Sequence, residues 1–254
     1  MPLFDDLGTR VELARPVRRV VSLVPSLTEA LAATVPERLV GATDWCTHPE
    51  NLDVTRVRGT KNPDRGAIQA LRPDLVVANQ EENRRVDVER LRVNGIAVWV
   101  TAIESVDAAV RSMHRLFNQA LDIPAPGWLR DSERAWAQPL PPTGQRVVVP
   151  VWRDPWMVVG SQTFTGDVVH HLGLTNLYRD HPQRYPQVTL DELGALAPDL
   201  VLLPDEPYRF TAADGPEAFP GCAVALVSGR LLTWYGPSLR TAQPHLLQQV
   251  RTAR

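Results

Sequence analysis

Cysteine is nearly absent from this 254-residue chain. Cys46 and Cys222 lie 176 positions apart, so at most one long-range link is available and a disulfide framework is excluded. The compartment is therefore not set by cysteine. Excess charge of one sign is also missing, with 27 Lys plus Arg against 29 Asp plus Glu and a formal charge of -2. Without a dense basic block the chain lacks the electrostatic footprint of phosphate-backbone binding, and no nucleic acid partner is expected. No apolar run approaches the roughly 18 residues that mark a membrane span, so none is expected. The start, Met1-Pro2-Leu3-Phe4-Asp5-Asp6, is acidic, with no apolar run behind it and no lipid-attachment cysteine. As written, the chain is expected to stay unexported. Enzyme signatures are lacking too: there is no glycine-rich phosphate loop, nucleophile elbow or zinc-protease helix. Ser26, Asp44 and His48 match no known hydrolytic order, and no catalysis is expected.

What is present is ordinary globular material, 44% apolar and 22% charged. A chain this long buries roughly 70–75% of its unfolded surface, enough for one large core or two lobes. The 23 prolines are spread along the chain and imply many rigid turns.

An internal echo carries the most information. Ala70-Leu71-Arg72-Pro73-Asp74-Leu75-Val76-Val77-Ala78 is matched 125 residues later by Ala195-Leu196-Ala197-Pro198-Asp199-Leu200-Val201-Leu202-Leu203. Each copy reads as a helix end stopped by proline, followed by a buried parallel strand. Val20–Pro25 and Val147–Pro150 repeat at an offset of 127. Two similar α/β lobes follow, with residues 1–102 as the first, 103–140 as a helical connector and 141–254 as the second.

In the first lobe, strands are expected at 20–24, 39–43, 75–78 and 96–100, with helices at 67–71 and 86–93. Ser26 and Glu29 have capping-box spacing and predict a helix from Ser26 to about Ala33. In the second lobe, strands are expected at 147–151, 200–203 and 223–227, with a helix near 165–172 and a capping box at Thr189 and Glu192. Val106, Val110, Met113 and Leu116 make 105–120 a helical pattern, which 128–136 extend beyond Pro124 and Pro126.

Ligand chemistry is expected at strand carboxyl ends, in a cleft between the lobes. Pro25 and Ser26 reach that rim, as do Asp44, Trp45, Cys46 and His48, the segment Trp152-Arg153-Asp154-Pro155-Trp156, and Trp234-Tyr235. Four of the seven tryptophans fall in these loops, which suggests broad flat contact with a ligand; packing of the lobe interface is the alternative. Trp99 lies in a strand pattern and belongs to the core. Cys46 and His48 do not complete a zinc site; His48 is either an axial ligand to a bound metal chelate, a hydrogen-bonding pocket residue or a structural one. His170 and His171 point in different directions on a helix and make no joint site. Cys222 is expected to be buried. Glu81-Glu82 and Asp205-Glu206 follow equivalent strands, and are either solvated loop charge or paired docking points for arginines on a two-fold partner.

Val21-Ser22-Leu23-Val24-Pro25-Ser26-Leu27-Thr28-Glu29, Gly59-Thr60-Lys61-Asn62-Pro63-Asp64, the two Leu-x-Pro-Asp-Leu-Val segments, Trp152–Trp156 and Leu203-Pro204-Asp205-Glu206-Pro207-Tyr208 resemble the class III substrate-binding proteins. These are also described as helical-backbone metal receptors, and the cobalamin-binding branch is the most similar. The resemblance spans essentially the whole chain. It implies two Rossmann-like lobes with parallel sheets joined by a long helix, a shallow cleft that closes little, and delivery of vitamin B12, haem or a ferric siderophore to an ABC permease dimer. It implies docking carboxylates at Glu206 and at Glu81 or Glu82. Aromatic contacts from Trp45, Trp152, Trp156, Trp234 and Tyr235 fit a corrinoid; His48 ligation or Arg153 on a carboxylate fits haem or a ferric chelate. The family is exported, which places the protein in the periplasm if an export segment has been removed. If the sequence is complete as written, a cytosolic enzyme, sensor or delivery module derived from this fold is the alternative.

Overall fold

Short valine-rich runs buried on both faces can only pair side by side under covering helices, and two such parallel sheets organise the chain. The computed structural model describes residues 2–253. Its contacts divide into two compact units. The first comprises the residues up to Ile103, Ala108–Arg130 and Tyr235–Pro237; the second comprises Glu104–Asp107, Asp131–Trp234 and the segment from Ser238 onward.

In the first unit, β1 (Leu3–Phe4) and β2 (Arg10–Val11) make a small antiparallel pair. The main strands β3 (Val20–Ser22), β4 (Leu39–Ala42) and β5 (Thr55–Arg56) precede a second small pair, β6 (Arg58–Gly59) with β7 (Asn62–Pro63). Strands β8 (Leu75–Asn79) and β9 (Val98–Thr101) complete a parallel sheet of order β5-β4-β3-β8-β9. Helices α1 (Pro25–Ala32), α2 (Arg65–Ala70) and α3 (Arg85–Val93) connect these strands. Val21, Leu23, Ile68, Val76, Leu91 and Val98 lie in one core cluster. Trp99 is fully buried, as its strand pattern predicts, with the Arg115 guanidinium 5.4 Å from its ring centroid.

Helix α4 (Val106–Arg115) passes into a π-helical turn, Leu116–Ala120, and α5 (Gly127–Ala135) follows after the Pro124 and Pro126 break. This is the helical connector expected from the 105–120 pattern.

In the second unit, β10 (Arg146–Val148) is followed by a hairpin of β11 (Pro150–Trp152) and β12 (Met157–Val158). Helix α6 (Phe164–His171) leads to β13 (Thr175–Asn176), and α7 (Leu190–Ala195) leads to β14 (Leu200–Pro204). After β15 (Ala223–Val227) come α8 (Gly229–Thr233) and α9 (Leu239–Arg251). The parallel sheet has order β13-β10-β14-β15. It matches the β4-β3-β8-β9 portion of the first sheet strand for strand.

The echo extends to hydrogen bonds. Asp74 Oδ2 accepts from the backbone N–H groups of Arg18 and Arg19, each at 2.8 Å, and Asp199 Oδ2 accepts from that of Arg146 at 2.8 Å. The guanidinium of Arg19 donates to the Leu71 carbonyl, and that of Arg146 to the Leu196 carbonyl. Each Pro-Asp aspartate thus anchors the start of the central strand beside it. Arg72 and Ala197, the residues before Pro-Asp, both take φ +45°.

Two expected elements differ. Ser26 does not cap α1: the helix begins at Pro25, Val24 is its N-cap, and no side-chain cap bond is made. Proline is favoured at the first helical position because its φ is already helical and its missing N–H would be unpaired there, which moves the cap two residues earlier, from Ser26 to Val24. The expected strand 147–151 is split at Val149, because Pro150 has no N–H to continue a ladder and turns into the hairpin. The Thr189/Glu192 capping box forms as predicted, with Glu192 Oε2 2.6 Å from the Thr189 backbone nitrogen.

Candidate functional site

At the carboxyl end of the first sheet, β3 delivers Pro25 and Ser26 directly onto α1, where Pro25 is half-buried and Ser26 buried. Tyr235 is grouped with this unit and only 5% exposed. Burial raises its phenol pKa well above the ordinary value; the nearby Glu82 carboxylate adds to this, and the Ser26 and Thr101 hydroxyls oppose it. Gly236 follows because a Cβ there would stand 2.8 Å from both Glu29 Oε2 and the Ser26 carbonyl. Ser26, Tyr235 and the Glu81-Glu82 turn are therefore gathered at one rim.

That turn is built by two asparagines not singled out from sequence. Asn79 Oδ1 accepts from the backbone N–H groups of Glu81 at 2.8 Å and Glu82 at 3.3 Å. Asn83 Oδ1 accepts from Asn79 N–H at 2.9 Å, while its amide donates to the Leu23 and Thr60 carbonyls. Glu81 is exposed and Glu82 half-buried on this fixed backbone. The only sequence signal was an asparagine two residues before the acidic pair, a common turn device.

The loop after β4 separates its residues sharply. Trp45 is 66% exposed, with its indole nitrogen 3.2 Å from where a Cβ on Gly59 would stand. Cys46 is buried; its sulfur accepts from the Thr28 hydroxyl at 2.9 Å and lies 3.2 Å from the Thr43 hydroxyl. Burial pushes this thiol's pKa up, so Cys46 is a packed structural group. His48 is half-exposed, with Nδ1 3.1 Å from the Thr47 hydroxyl. Among the described residues, no group of three or more His, Cys, Asp or Glu side chains could hold a metal ion.

In the second unit, the hairpin loop carries Trp152, Arg153 and Trp156. Trp152 is 43% exposed and Trp156 only 8%. An aromatic row links them: Trp152 lies edge-on to Tyr208 at 5.7 Å, Tyr208 is 4.7 Å from Phe210, and Phe210 stacks on Trp156 at 5.8 Å. Arg153 lies 5.4 Å from the Trp156 ring centroid and is ion-paired with Asp214 and Glu217. Those carboxylates raise its pKa further and meet its charge within the protein. Tyr208, Asp214 and Glu217 were not predicted as site residues; Asp214 lies 61 positions from Arg153, a separation no local pattern reveals.

A second grouping holds Glu206 and Trp234. Trp234 is 6% exposed, its indole N–H donates to the Glu206 carboxylate, and Arg230 lies 5.7 Å from its ring centroid. Burial pushes the Glu206 carboxyl pKa up, and Oε1 has no hydrogen-bond partner among the described residues. Asp205 is exposed, with Oδ1 accepting from Gly229 N–H at 2.6 Å. Glu81 and Glu206 each stand two residues beyond the end of matching strands, β8 and β14. His170 is exposed and His171 buried with Nδ1 3.0 Å from the Asp167 carbonyl. Cys222 is half-buried, its thiol donating to the Pro198 carbonyl at 3.3 Å.

No family model matches the sequence. The chain is 24% identical over 209 residues to the vitamin B12-binding protein of Vibrio parahaemolyticus, covering 79% of this chain and 75% of that one. Among solved structures it resembles the periplasmic vitamin B12 binding protein of Vibrio cholerae, with a TM-score of 0.72 and 19% identity over 93% of this chain and 97% of that one. It equally resembles a periplasmic heme binding protein from Pseudomonas aeruginosa, with a TM-score of 0.75 and 22% identity over 94% of each chain. Its two α/β units, matched parallel sheets and helical connector are the fold of these solved structures and the one that the resemblance to the class III, helical-backbone solute-binding proteins implies.

Proposed function

We propose that this chain is a non-catalytic, extracytoplasmic carrier that binds cobalamin or a related corrinoid and delivers it to an ABC importer. The observation that carries this reading is the aromatic row of the second unit with Trp152 at its exposed end, in a chain whose curated relatives are named vitamin B12-binding proteins. An exposed indole over a buried aromatic base offers a flat, rigid apolar surface suited to a macrocycle. Trp152 and the exposed Trp45 are the ligand contacts in this reading. Buried Trp156, Trp234 and Tyr235 support the rims from behind, with Pro25, Ser26 and Arg153 beside them. Glu81, with Glu82 behind it, and Glu206 are the docking points for arginines of the permease.

Haem or a ferric chelate is the second reading, favoured by the half-exposed imidazole of His48, a residue type that ligates haem iron. Parallel isothermal titrations with cyanocobalamin, haemin and a ferric siderophore separate the two. Micromolar or tighter cobalamin binding, weakened about tenfold by Trp152→Ala, is the expected result. Heat from haemin alone, with a Soret shift lost in His48→Ala, transfers the assignment to haem.

A further inference from the structure

Tyr208 stands directly beside Trp152, yet its oxygen is already committed. The phenol donates to Asp214 Oδ2 at 2.7 Å, while the other oxygen of the same carboxylate pairs with the Arg153 guanidinium. Arg153 in turn lies over Trp156, and Glu217 is its second carboxylate partner. One side chain, Asp214, therefore ties together the ring against which Trp152 rests and the residue that follows Trp152 in the hairpin. From this geometry we infer that Asp214 positions an aromatic platform, Trp152 edge-on to Tyr208, which takes the flat face of a coordinatively saturated chelate and gives no ligand to its metal.

The chemistry follows from what each group has left to offer. A tyrosine ligates iron as phenolate, whereas this phenol is a hydrogen-bond donor to an adjacent carboxylate. That hydrogen bond raises its pKa, and burial and the Asp214 charge act in the same direction. The indole of Trp152 has a donor N–H and no lone pair for a metal. Ring faces and edges are what remain, and they suit a macrocycle whose axial positions are filled by its own groups. Fixing two aromatic rings before the ligand arrives also removes ordering cost from binding. Asp214 is a positioning residue in this scheme and touches no ligand.

The inference rests on the corrinoid-carrier reading for its cargo, and dicyanocobinamide, with cyanide on both axial positions, separates the two. The expected result is binding within about threefold of cyanocobalamin, with the visible bands of the bound corrinoid unmoved. Asp214→Asn and Tyr208→Phe each weaken both ligands about three- to tenfold, and the double variant is no weaker than the weaker single, because both remove the same contact. Displacement of a cyanide on binding, a haemin spectrum altered by Tyr208→Phe, or additive losses overturn it. If the unaltered chain binds no corrinoid, the carrier reading fails, and the platform is judged without ligand from the Trp152 indole N–H resonance, assigned by its loss in Trp152→Ala. Both single variants must shift that resonance; an unmoved one overturns the positioning role.

Discussion

Glu206 folds into a place that suits its neutral form. Burial is the first cause of its raised pKa, the neighbouring Asp205 charge adds to it, and the Trp234 N–H and Arg230 oppose it. The folded chain therefore binds this proton more tightly than the unfolded chain does. Its contribution to stability is full below the ordinary glutamate pKa and is lost as pH rises through the raised one. Glu206→Gln should melt at the wild-type temperature near pH 4 and about 1–3 °C higher at pH 7, followed by calorimetry at the two pH values. A midpoint difference independent of pH would contradict it. Asp5 is a buried carboxylate paired with Arg92 at 2.6 Å. Arg92→Ala should destabilise the chain by roughly 3 kcal/mol in urea unfolding, since it removes the cation paired with buried Asp5 Oδ2, while Oδ1 keeps the Leu7 and Thr9 backbone N–H groups. At this scale the sequence revealed residue types better than their exposure. Trp45, Trp152, Trp156 and Trp234 all read as loop aromatics, but only the packing of partners far along the chain, such as Phe210 and Phe219 against Trp156, decides which ring is left at the surface.

Elements were legible where their signals are local. Parallel strands appeared as short apolar runs after Pro-Asp, and the Thr189/Glu192 box capped α7 because both partners lie within one turn. The same spacing at Ser26 and Glu29 misled because Pro25 starts the helix first. The Pro-Asp aspartates work as strand anchors. Asp74→Ala removes an acceptor shared by two backbone N–H groups at the start of the central strand, and should cost about 1–3 kcal/mol, read from the urea midpoint with an unchanged slope. Asp199, its counterpart, has a pKa lowered first by the Arg146 backbone N–H and then by the Arg146 side chain. Its stabilisation is present above the ordinary aspartate pKa and is lost as pH falls through the lowered one. Asp199→Asn should therefore flatten the acid limb of the stability curve while leaving its slope above pH 6 unchanged.

Across the whole molecule, the 125-residue echo was the clearest sequence feature, and it survives as two sheets with the same order of four strands. The two copies differ at their rims. The β11–β12 hairpin, inserted between the central strand and its helix, gives the second unit its exposed tryptophan and aromatic row, whereas the first unit passes from β3 straight into α1. An insertion of this kind is invisible to a repeat offset, because the apolar strands keep their spacing on either side of it. If the hairpin carries the ligand contact, binding should appear in the stability of the chain by mass action. Cyanocobalamin at a hundred times its Kd adds about 2.7 kcal/mol, which in a chain of this length raises the melting midpoint by roughly 5–10 °C. Trp152→Ala should melt near the wild-type temperature without ligand, since its ring is 43% exposed, and, with its Kd about tenfold weaker, should lose about half of the ligand-induced rise at the same cobalamin concentration. An equal rise in the two proteins would move the contact off the hairpin, and a lower midpoint without ligand would make Trp152 part of the core instead.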